Sequence, residues 1–452
     1  MLFLLLSFEG PDEYSQAGGL GVRAKELGRA LAAGGNETHL FFIGDPALPA
    51  EEMGESGRLH LHRWGQWISA QHKLGVYDGE WGKVDDWNRS LPPHLITNLI
   101  QPALARGEIV VILGEEWQTA KSMTLLSDAL HVRMLRDRVV LLWNANNIFG
   151  FDHISWPALN SATTITTVSR YMKHLMWKEG VNPIVIPNGI PAAAIKDPPG
   201  DDVALLRRSA GGDQFLFKIG RFDPDKRWLM AMSAVAMLKM EGRRPRLLIR
   251  GGKEPHGTEV LRHARLQGLV VEDIFGADSP SALAKSMESH PDADVLNLVS
   301  FLPEEMLGTI YRAADAVLAN SGHEPFGLVG LEVMAAGGLA VTGSTGEDYA
   351  EPYRNALVLE TDDPLELESC LRLVARDPGL AARLRAEGRN TAKAYTWDIV
   401  IEQLFARLEL AAARQHVSWP VPPPAAAPPA PATPPAPARP VARRPGRPTN
   451  PG

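Results

Sequence analysis

Two glutamates that flank a proline and a glycine form the segment of the chain with the clearest chemistry. The segment reads Glu324-Pro-Phe-Gly-Leu-Val-Gly-Leu-Glu332 and places its two carboxylates eight residues apart. Pro325 favours the first turn of a helix because its φ is already close to the helical value. The apolar pattern that follows predicts a helix beginning at Phe326 and stopped by Gly337-Gly338.

The predicted start of this helix has the properties of a phosphate site. The N–H groups of Gly327, Leu328 and Val329 would have no helical partner there, and the positive end of the helix dipole lies beside them. Glu324 just outside the helix and Glu332 inside it can accept hydrogen bonds from hydroxyl groups. A phosphate between two such acceptors describes a nucleotide-diphosphate sugar. The alternative interpretation is a capped core helix with two solvated glutamates.

Two cations follow the strand predicted at residues 214–219. Arg221 and Lys226 lie in the loop after this strand, where a parallel sheet opens its ligand cleft. Fixed cations at this place can hold a diphosphate and neutralise the charge of a leaving phosphate. The alternative is an exposed basic pair near Asp223 and Asp225.

A glycine-rich turn follows the first predicted strand. Gly18 and Gly19 lie in Ser15-Gln-Ala-Gly-Gly-Leu-Gly21, where they allow a ligand to approach the backbone and where the next helix start again favours an anion. The turn does not match the dinucleotide fingerprint, and Gly82-Lys83 lacks the Ser or Thr of a Walker A loop. A tight structural turn is the alternative.

Several acidic and histidine groups were weighed as metal ligands, and we predict no metal site. Asp292 and Asp294 immediately precede a predicted strand and are expected to cap it, and Asp362-Asp363 is another acidic pair. His60 and His62 alternate along a short strand, which two solvent-facing side chains explain.

Strands and helices alternate twice along the chain, which predicts an α/β fold of two doubly wound, Rossmann-like domains with a cleft between them. Residues 1–192 form the predicted N-terminal acceptor domain and residues 200–395 the C-terminal donor domain. Residues 396–413 are expected to form a helix that crosses back to the first domain. Residues 414–452 are rich in proline and alanine and are expected to be disordered. The predicted strands cover residues 2–8, 38–43, 109–113, 139–143, 163–167, 214–219, 245–250, 295–301, 316–319 and 339–342.

The composition limits the possible partners. A net charge of −7 argues against a general nucleic-acid binder. Cys370 is the single cysteine, which excludes a disulfide framework or a cysteine zinc site and suits a cytoplasmic protein. No stretch has the length of uncharged apolar residues that a membrane span needs, although peripheral membrane contact stays open.

Over residues 1–412 the chain resembles the GT-B glycosyltransferases, and specifically the retaining family 4 enzymes related to glycogen synthase. The likeness depends on the order of several short motifs. These are Gly18-Gly-Leu-Gly21, Ser169-Arg-Tyr-Met172, Ile186-Pro-Asn-Gly-Ile190, Gly220-Arg221 with Lys226, and Glu324-Pro-Phe-Gly-Leu with Glu332.

The resemblance implies a role for each matching residue. Arg221 and Lys226 would hold the donor diphosphate, and Glu324 would contact hydroxyls of the donor sugar. Glu332 would bind the ribose hydroxyls, and Gly19, beside Gly18, would approach the diphosphate from the other domain. Backbone groups complete the site: Phe326 and Gly327 for the sugar, Leu328 and Val329 for the phosphate, and Phe301 and Leu302 for the base. Such enzymes need no metal ion or other cofactor.

The chain departs from the family pattern in the first domain. Gln16 stands where glycogen synthases have lysine, and Glu115-Glu-Trp117 replaces a His-Asp-Trp segment. Trp143-Asn144 replaces His-Asn, whose histidine usually lies beside the donor sugar. The carbonyl of Trp143, or the side chain of Asn144 or Asn146, is our candidate for the acceptor side.

The resemblance implies a retaining, metal-independent transfer of a hexose, glucosyl or mannosyl, from a nucleotide-diphosphate sugar to a hydroxyl of a carbohydrate or other small acceptor. Two alternatives stay open. One is a non-hydrolysing sugar-nucleotide epimerase. The other is a sugar-nucleotide-binding protein without turnover, suggested by Gln16 and Trp143.

Overall fold

The alternating strands and helices form two sheets in a computed structural model that describes residues 1–54, 56–276 and 278–419. The sheets have eight and seven strands and are almost entirely parallel, which confirms the predicted α/β class. The first sheet uses strands from the first 185 residues and the second uses strands from residue 214 onward. The domain boundaries stay a prediction, and the part of the expected disordered tail after residue 419 lies outside the described residues.

The first sheet has the strand order β3-β4-β2-β1-β5-β6-β7-β8, and only the β3–β4 pair among these strands is antiparallel. β1 is central, and all five of its residues are buried, as expected for a strand covered on both faces. The bounds are β1 (Leu2–Leu6), β2 (Glu37–Ile43), β3 (Glu51–Met53), β4 (Leu59–Trp64), β5 (Val110–Glu115), β6 (Val139–Ala145), β7 (Thr164–Thr167) and β8 (Ile184–Val185).

The second sheet has the strand order β11-β12-β10-β9-β13-β14-β15. Its central strands β9 and β13 are neighbours, so the loops that follow them meet at one edge of the sheet. The bounds are β9 (Gln214–Ile219), β10 (Pro245–Arg250), β11 (Val271–Ile274), β12 (Val295–Leu298), β13 (Ala316–Ala319), β14 (Ala340–Thr342) and β15 (Leu357–Val358).

Helices cover both sheets, and none among the described residues has the length and apolar composition needed to cross a membrane. Those that follow strands of the first sheet are α1 (Gly19–Ala33), α2 (Gln66–Ser69), α3 (Glu80–Leu95), α4 (Gln101–Ala105), α5 (Trp117–Val132), α6 (Trp156–Ala162) and α7 (Arg170–Met176). The remaining helices are α8 (Gly200–Ala210), α9 (Trp228–Met240), α10 (His256–Leu266), α11 (Pro280–Glu288), α12 (Glu304–Ala313), α13 (Leu328–Ala335), α14 (Pro364–Arg376), α15 (Pro378–Ala392) and α16 (Trp397–Arg414).

The terminal helix α16 returns to the first sheet. It packs against α1 and β6, and the ring of Phe405 contacts the ring of Phe3 at 5.7 Å between centroids. Just after the helix, the Gln415 side chain donates to the carbonyl of Leu141 at 2.8 Å. These contacts place α16 where the sequence expected a helix crossing back.

Some elements differ from the prediction. The strand expected at residues 295–301 ends at Leu298, so Phe301 lies in the following loop with 77% of its surface exposed. The helical segment from α2 to α4 was not predicted, because α3 is polar and contains Pro92 and Pro93 near its end. Its buried face packs against α5, and this tertiary contact outweighs the weak local propensity.

Candidate active site

The start of α13 lies at the carboxyl edge of the second sheet. The helix begins at Leu328, two residues later than predicted, because Gly327 adopts a left-handed φ of 79°. The side chain of Phe326 is buried against Tyr349 and Tyr395. None of the described side chains caps this helix start. Its first N–H groups have no side-chain partner there, and the phosphate binding expected of them stays a prediction.

Lys226 and Glu324 form an ion pair beside this helix start. The Lys226 Nζ lies 2.5 Å from Glu324 Oε2, and both side chains are partly exposed. Lys226 ends the 3₁₀ turn Pro224–Lys226, in which the Asp223 carboxylate accepts from the backbone N–H of Asp225. The pair joins the loops after β9 and β13, so the structure brings these two predicted site residues together.

Arg221 and Arg227 lie on either side of the 3₁₀ turn. The Arg221 side chain is exposed, while its backbone carbonyl accepts from the indole N–H of Trp228 at 2.8 Å. Arg227 has a φ of 49° and pairs with the exposed carboxylate of Asp362. Diphosphate binding was predicted for Arg221 and not for Arg227, although both cations are within a few residues of Lys226.

Lys218 is a buried lysine near the carboxyl end of β9, before the loop that carries Lys226 in the chain order. Its Nζ donates to the carbonyl of Leu318 at 3.1 Å and to the side-chain oxygen of Asn320 at 2.6 Å. Burial holds the pKa of Lys218 well below its ordinary value, and repulsion from Lys226 and Arg227 lowers it further. Lys218 therefore ties β9 to the end of β13 rather than offering a charge to a ligand.

Glu347 is a carboxylate of this site that sequence reasoning missed. It is only 5% exposed, and its Oε2 accepts from the backbone N–H of Thr345 at 3.1 Å. Its Oε1 has no hydrogen-bond partner among the described residues. Burial, together with repulsion from Glu324, raises the pKa of Glu347 to about 7. A second carboxyl group therefore lies beside the Lys226–Glu324 pair.

Two glycines allow the loop after β14 to pack against the Glu324 loop. A Cβ on Gly346 would lie 2.1 Å from the carbonyl oxygen of Glu324, and a Cβ on Gly343 would lie 2.2 Å from that of Ser321. The Gly346 N–H also donates to the Glu324 carbonyl at 2.9 Å. The signal in the sequence was the spacing Gly343-Ser-Thr-Gly346-Glu347 directly after a strand, which resembles an ordinary turn.

Replacing Glu347 with glutamine is expected to change how stability depends on pH. Below about pH 4.5 the carboxyl is protonated in both folded and unfolded chains. Between about 4.5 and 7 the unfolded chain releases the proton first, so wild-type stability falls as pH rises. Glu347→Gln is therefore expected to be about 3 kcal/mol more stable than wild type above pH 7 and similar near pH 4. Urea unfolding at a series of pH values measures this difference.

The exposed Glu305 on α12 provides the control for this experiment. Glu305→Gln is expected to give a curve parallel to that of wild type. A constant difference between Glu347→Gln and wild type at every pH would show that the Glu347 carboxyl does not titrate in this window.

Glu332, predicted to bind ribose hydroxyls, lies one turn inside α13. The hydroxyl of Tyr311 on α12 donates to its Oε2 at 3.2 Å. Burial raises the pKa of Glu332 to about 7. Leu302 is buried, whereas Phe301 is exposed. The contact of Phe301 and Leu302 with the nucleotide base stays a prediction.

The predicted anion site at the start of α1 already holds a carboxylate of the protein. Glu9 Oε2 accepts from the backbone N–H of Gly18 at 2.9 Å and from that of Gly21 at 3.1 Å. A Cβ on Gly21 would lie 2.8 Å from the Gly10 carbonyl, so this position requires glycine for packing. A Cβ on Gly19 would meet nothing within 4 Å. The backbone at Gly19 is therefore open, and its approach to a diphosphate stays a prediction.

The candidates for the acceptor side, Trp143 and Asn144, are both fully buried, which corrects that prediction. The Trp143 carbonyl accepts from the Thr166 hydroxyl at 3.3 Å, and Asn144 Nδ2 donates to Glu115 Oε2 at 2.9 Å. Both residues belong to β6, where side chains point into the layers on either side of the sheet. Asn146, just past β6, donates to the same Glu115 oxygen at 2.7 Å and is only partly buried.

Glu116 is the strained residue of the first-sheet edge. It has a φ of 66° and ψ of 168°, a region that residues other than glycine rarely adopt. Its Oε1 accepts from the backbone N–H of Asn146 at 2.6 Å. Burial, together with repulsion from the Glu115 carboxylate, raises the pKa of Glu116 to about 8. This residue lies in the segment that the sequence analysis identified as a departure from the family.

Asp294 and Asp363, one residue from each acidic pair, make contacts within the protein. Asp294 Oδ2 pairs with Lys239 Nζ at 2.6 Å and accepts from the backbone N–H of Val270 at 2.7 Å. The Asp363 side chain caps the start of α14. These partners agree with the expectation that the first pair caps a strand.

A hydrogen bond beside the site joins a loop of the first sheet to a loop of the second sheet. The backbone N–H of Arg170, at the start of α7, donates to Asp348 Oδ2 at 2.7 Å. Ser169 caps this helix by accepting from the Met172 N–H at 3.1 Å. The motif Ser169-Arg-Tyr-Met172 therefore faces the loop that carries Glu347.

The fold and the site can be compared with known proteins. Residues 207–391 match the family of glycosyl transferases group 1. Sucrose-phosphate synthase from Thermosynechococcus elongatus has a TM-score of 0.65 at 19% identity, covering 91% of this chain and 99% of that chain. This chain has the GT-B fold. The catalytic domain of starch synthase IV from Arabidopsis thaliana, bound to ADP and acarbose, gives a TM-score of 0.64 at 16% identity over 91% of this chain and 99% of that one.

A curated relative of this GT-B chain is a D-inositol 3-phosphate glycosyltransferase from Geodermatophilus obscurus. It is 28% identical over 245 residues, which are 51% of this chain and 49% of the relative. The chain spans about half the length of the first curated relatives it matches.

Proposed function

We propose that this GT-B chain transfers a hexose, glucosyl or mannosyl, from a nucleotide-diphosphate sugar to a hydroxyl of a carbohydrate or other small acceptor. The observation that carries the proposal is the Lys226–Glu324 ion pair, 2.5 Å long, beside the uncapped start of α13. A cation, a hydroxyl acceptor and a set of helix N–H groups meet there. This combination suits the diphosphate and the sugar of one donor molecule.

Binding of the donor would break the Lys226–Glu324 ion pair and give each side chain a new partner. The diphosphate carries two negative charges and attracts Lys226 more strongly than one carboxylate does, so Lys226 would turn toward the phosphate beside Leu328 and Val329. Glu324 would then be free to accept hydrogen bonds from the sugar hydroxyls. Arg221, exposed on the other side of the 3₁₀ turn, adds a second cation. Gly19 offers an open backbone from the first sheet.

Transfer would proceed with retention of configuration at the anomeric carbon. The bond between that carbon and the leaving phosphate oxygen breaks while the acceptor oxygen attacks from the same face. The acceptor proton passes to the leaving phosphate oxygen. Lys226, Arg221 and the α13 N–H groups stabilise the charge that develops on the phosphate, a role that metal ions fill in other transferases.

The names of similar proteins agree with this proposal. Starch synthase IV was solved with ADP and acarbose, and HepE from Anabaena, which has the same fold, was solved with UDP and with UDP-glucose. The curated relatives are named D-inositol 3-phosphate glycosyltransferases. These names support a nucleotide-diphosphate donor and a polyhydroxylated acceptor.

Thermal unfolding with a panel of nucleotide sugars tests the proposal. UDP-glucose, ADP-glucose and GDP-mannose are the first probes, each tested with EDTA present. The true donor at a hundred times its Kd is expected to stabilise the fold by about 2.7 kcal/mol. Transfer by that donor is then tested with a series of sugar and inositol acceptors, and proton NMR of the product reads the anomeric configuration.

The outcomes separate the alternatives. If the nucleotide sugar is rearranged in the absence of an acceptor, the protein is an epimerase. If the donor binds tightly but is neither transferred nor hydrolysed, the protein is a sugar-nucleotide-binding protein without turnover. An inverted product, or activity lost with EDTA, would overturn the retaining or the metal-independent part of the proposal.

A further inference from the structure

A ladder of stacked rings lies on one face of the first sheet, far from the site described above. His39 on β2 stacks on His60 of β4 at 4.4 Å between centroids and 10° between planes. It also stacks on His62 at 5.1 Å, and His62 in turn stacks on Phe41 at 4.2 Å. His62 is only 9% exposed, which corrects the expectation of two solvent-facing histidines.

Strand register places these groups together. His39 is directly opposite His60 in the parallel β2–β4 pair, and Glu37 precedes His39 by two residues on the same strand face. The Nε2 of His60 lies 2.6 Å from Glu37 Oε1. Candidate ligand atoms of Glu37, His39 and His60 all lie within 4.8 Å of one another.

The hydrogen bonds around this cluster orient His39 for a ligand. Glu51 lies 3.6 Å from Nδ1 of His62 and, when ionised, can only accept. With that proton on Nδ1, Nε2 of His62 accepts from Nδ1 of His39 across 2.8 Å. The lone pair of His39 Nε2 is then available. The Nδ1–H of His39 is then fixed by a hydrogen bond, as the second ring nitrogen of a metal-binding histidine usually is.

We propose that Glu37, His39 and His60 bind a Zn²⁺ ion. Two imidazole nitrogens and one carboxylate oxygen, with water as a fourth ligand, form a common zinc ligand set. The ion would take the place of the proton that His60 shares with Glu37. Tetrahedral zinc needs ligand atoms about 3.3 Å apart, so the stacked rings must tilt toward each other. His60 is partly exposed and has room for this rotation.

The surroundings fit such a site. Glu37 and His39 line an open surface pocket through which an ion and its water can enter. The cluster lies at the amino ends of the strands, so it is on the opposite edge of the sheet from Gly19 and Glu116. A bound ion would link β2 to β4 and stabilise the edge of the sheet. This proposal does not depend on the proposed sugar transfer.

Zinc titration of the complete, untagged chain tests this proposal, with a metal-free preparation and a chromophoric chelator as competitor. We expect one equivalent of tightly bound Zn²⁺ and a higher Tm with zinc. His60→Ala and Glu37→Gln are each expected to lower the zinc affinity at least about 10-fold. Both replaced side chains are partly exposed, so these variants are expected to fold. Circular dichroism without zinc checks this.

His72→Ala is the matched control, because His72 is a partly exposed histidine with a carboxylate partner, Asp78, at 3.2 Å. It is expected to bind zinc like wild type. Absence of a bound equivalent in wild type, or unchanged affinity in His60→Ala or in Glu37→Gln, would overturn the three-ligand assignment. An anomalous peak at the zinc edge between these three side chains would support it directly.

Discussion

Replacing Lys226 with alanine is expected to lower kcat for sugar transfer by about 10²- to 10³-fold while the chain stays folded. Lys226 lies on a partly exposed turn, and its observed partner is the Glu324 carboxylate. Its removal takes away a cation aimed at the phosphate that gains charge as the glycosidic bond breaks. Steady-state kinetics with the donor found by thermal unfolding measures the effect.

Lys239→Ala is the matched control, because Lys239 on α9 makes a similar ion pair, at 2.6 Å, with Asp294 just before β12. It is expected to keep kcat within a few-fold of wild type. Wild-type turnover in Lys226→Ala would remove Lys226 from the site. Equal losses in both variants would indicate that any broken ion pair, rather than a missing phosphate ligand, lowers activity.

Gly346→Ala is expected to lower the free energy of unfolding by about 1–3 kcal/mol and to abolish donor binding. The added Cβ would lie 2.1 Å from the Glu324 carbonyl and 2.2 Å from the Pro325 carbonyl. Both atoms belong to the backbone and cannot rotate away. The loop carrying Glu347 must therefore move from the Glu324 loop, and the site opens. Urea unfolding and donor thermal shifts measure the two effects.

Gly308→Ala controls for the chemical change itself. Gly308 lies within α12, and a Cβ there would meet nothing within 4 Å. This substitution is expected to stabilise the chain by about 0.5–1 kcal/mol, because alanine loses less conformational entropy in a helix. Tight donor binding by Gly346→Ala would show that the two loops need not pack closely for the site to form.

The fold could be predicted because buried parallel strands leave a strong pattern. β1 reads as five consecutive apolar residues, and β9 contains the apolar residues Phe215 to Phe217 shortly before Gly220. Both are central strands. The edge strands β3 and β11 contain exposed polar residues, so their sequences carry little signal. Their pairing depends on neighbours that are distant in the chain.

The site was predictable where its residues are close in sequence or follow adjacent strands. Glu324 and Lys226 were each placed after a central strand, and the structure brings them together. Glu347 was missed because its position depends on two loops packing through Gly343 and Gly346, which no local pattern reveals. Lys218 was missed because sequence patterns do not show a lysine within a strand to be buried.

The acceptor side was predicted less well. Trp143 and Asn144 were chosen by their place in a family motif, but both are fully buried in β6. A strand alternates its faces, and a motif position does not show which face a helix covers. Asn146 is partly exposed at that edge, whereas the strained Glu116 is buried there.

A crystal of the wild-type chain soaked with UDP or ADP tests directly whether the diphosphate binds at the start of α13. We expect density for the diphosphate at the start of α13, within hydrogen-bonding distance of the Leu328 and Val329 N–H groups. Lys226 is expected to have left Glu324 for a phosphate oxygen. Nucleotide density elsewhere, with the Lys226–Glu324 pair unchanged, would contradict this expectation.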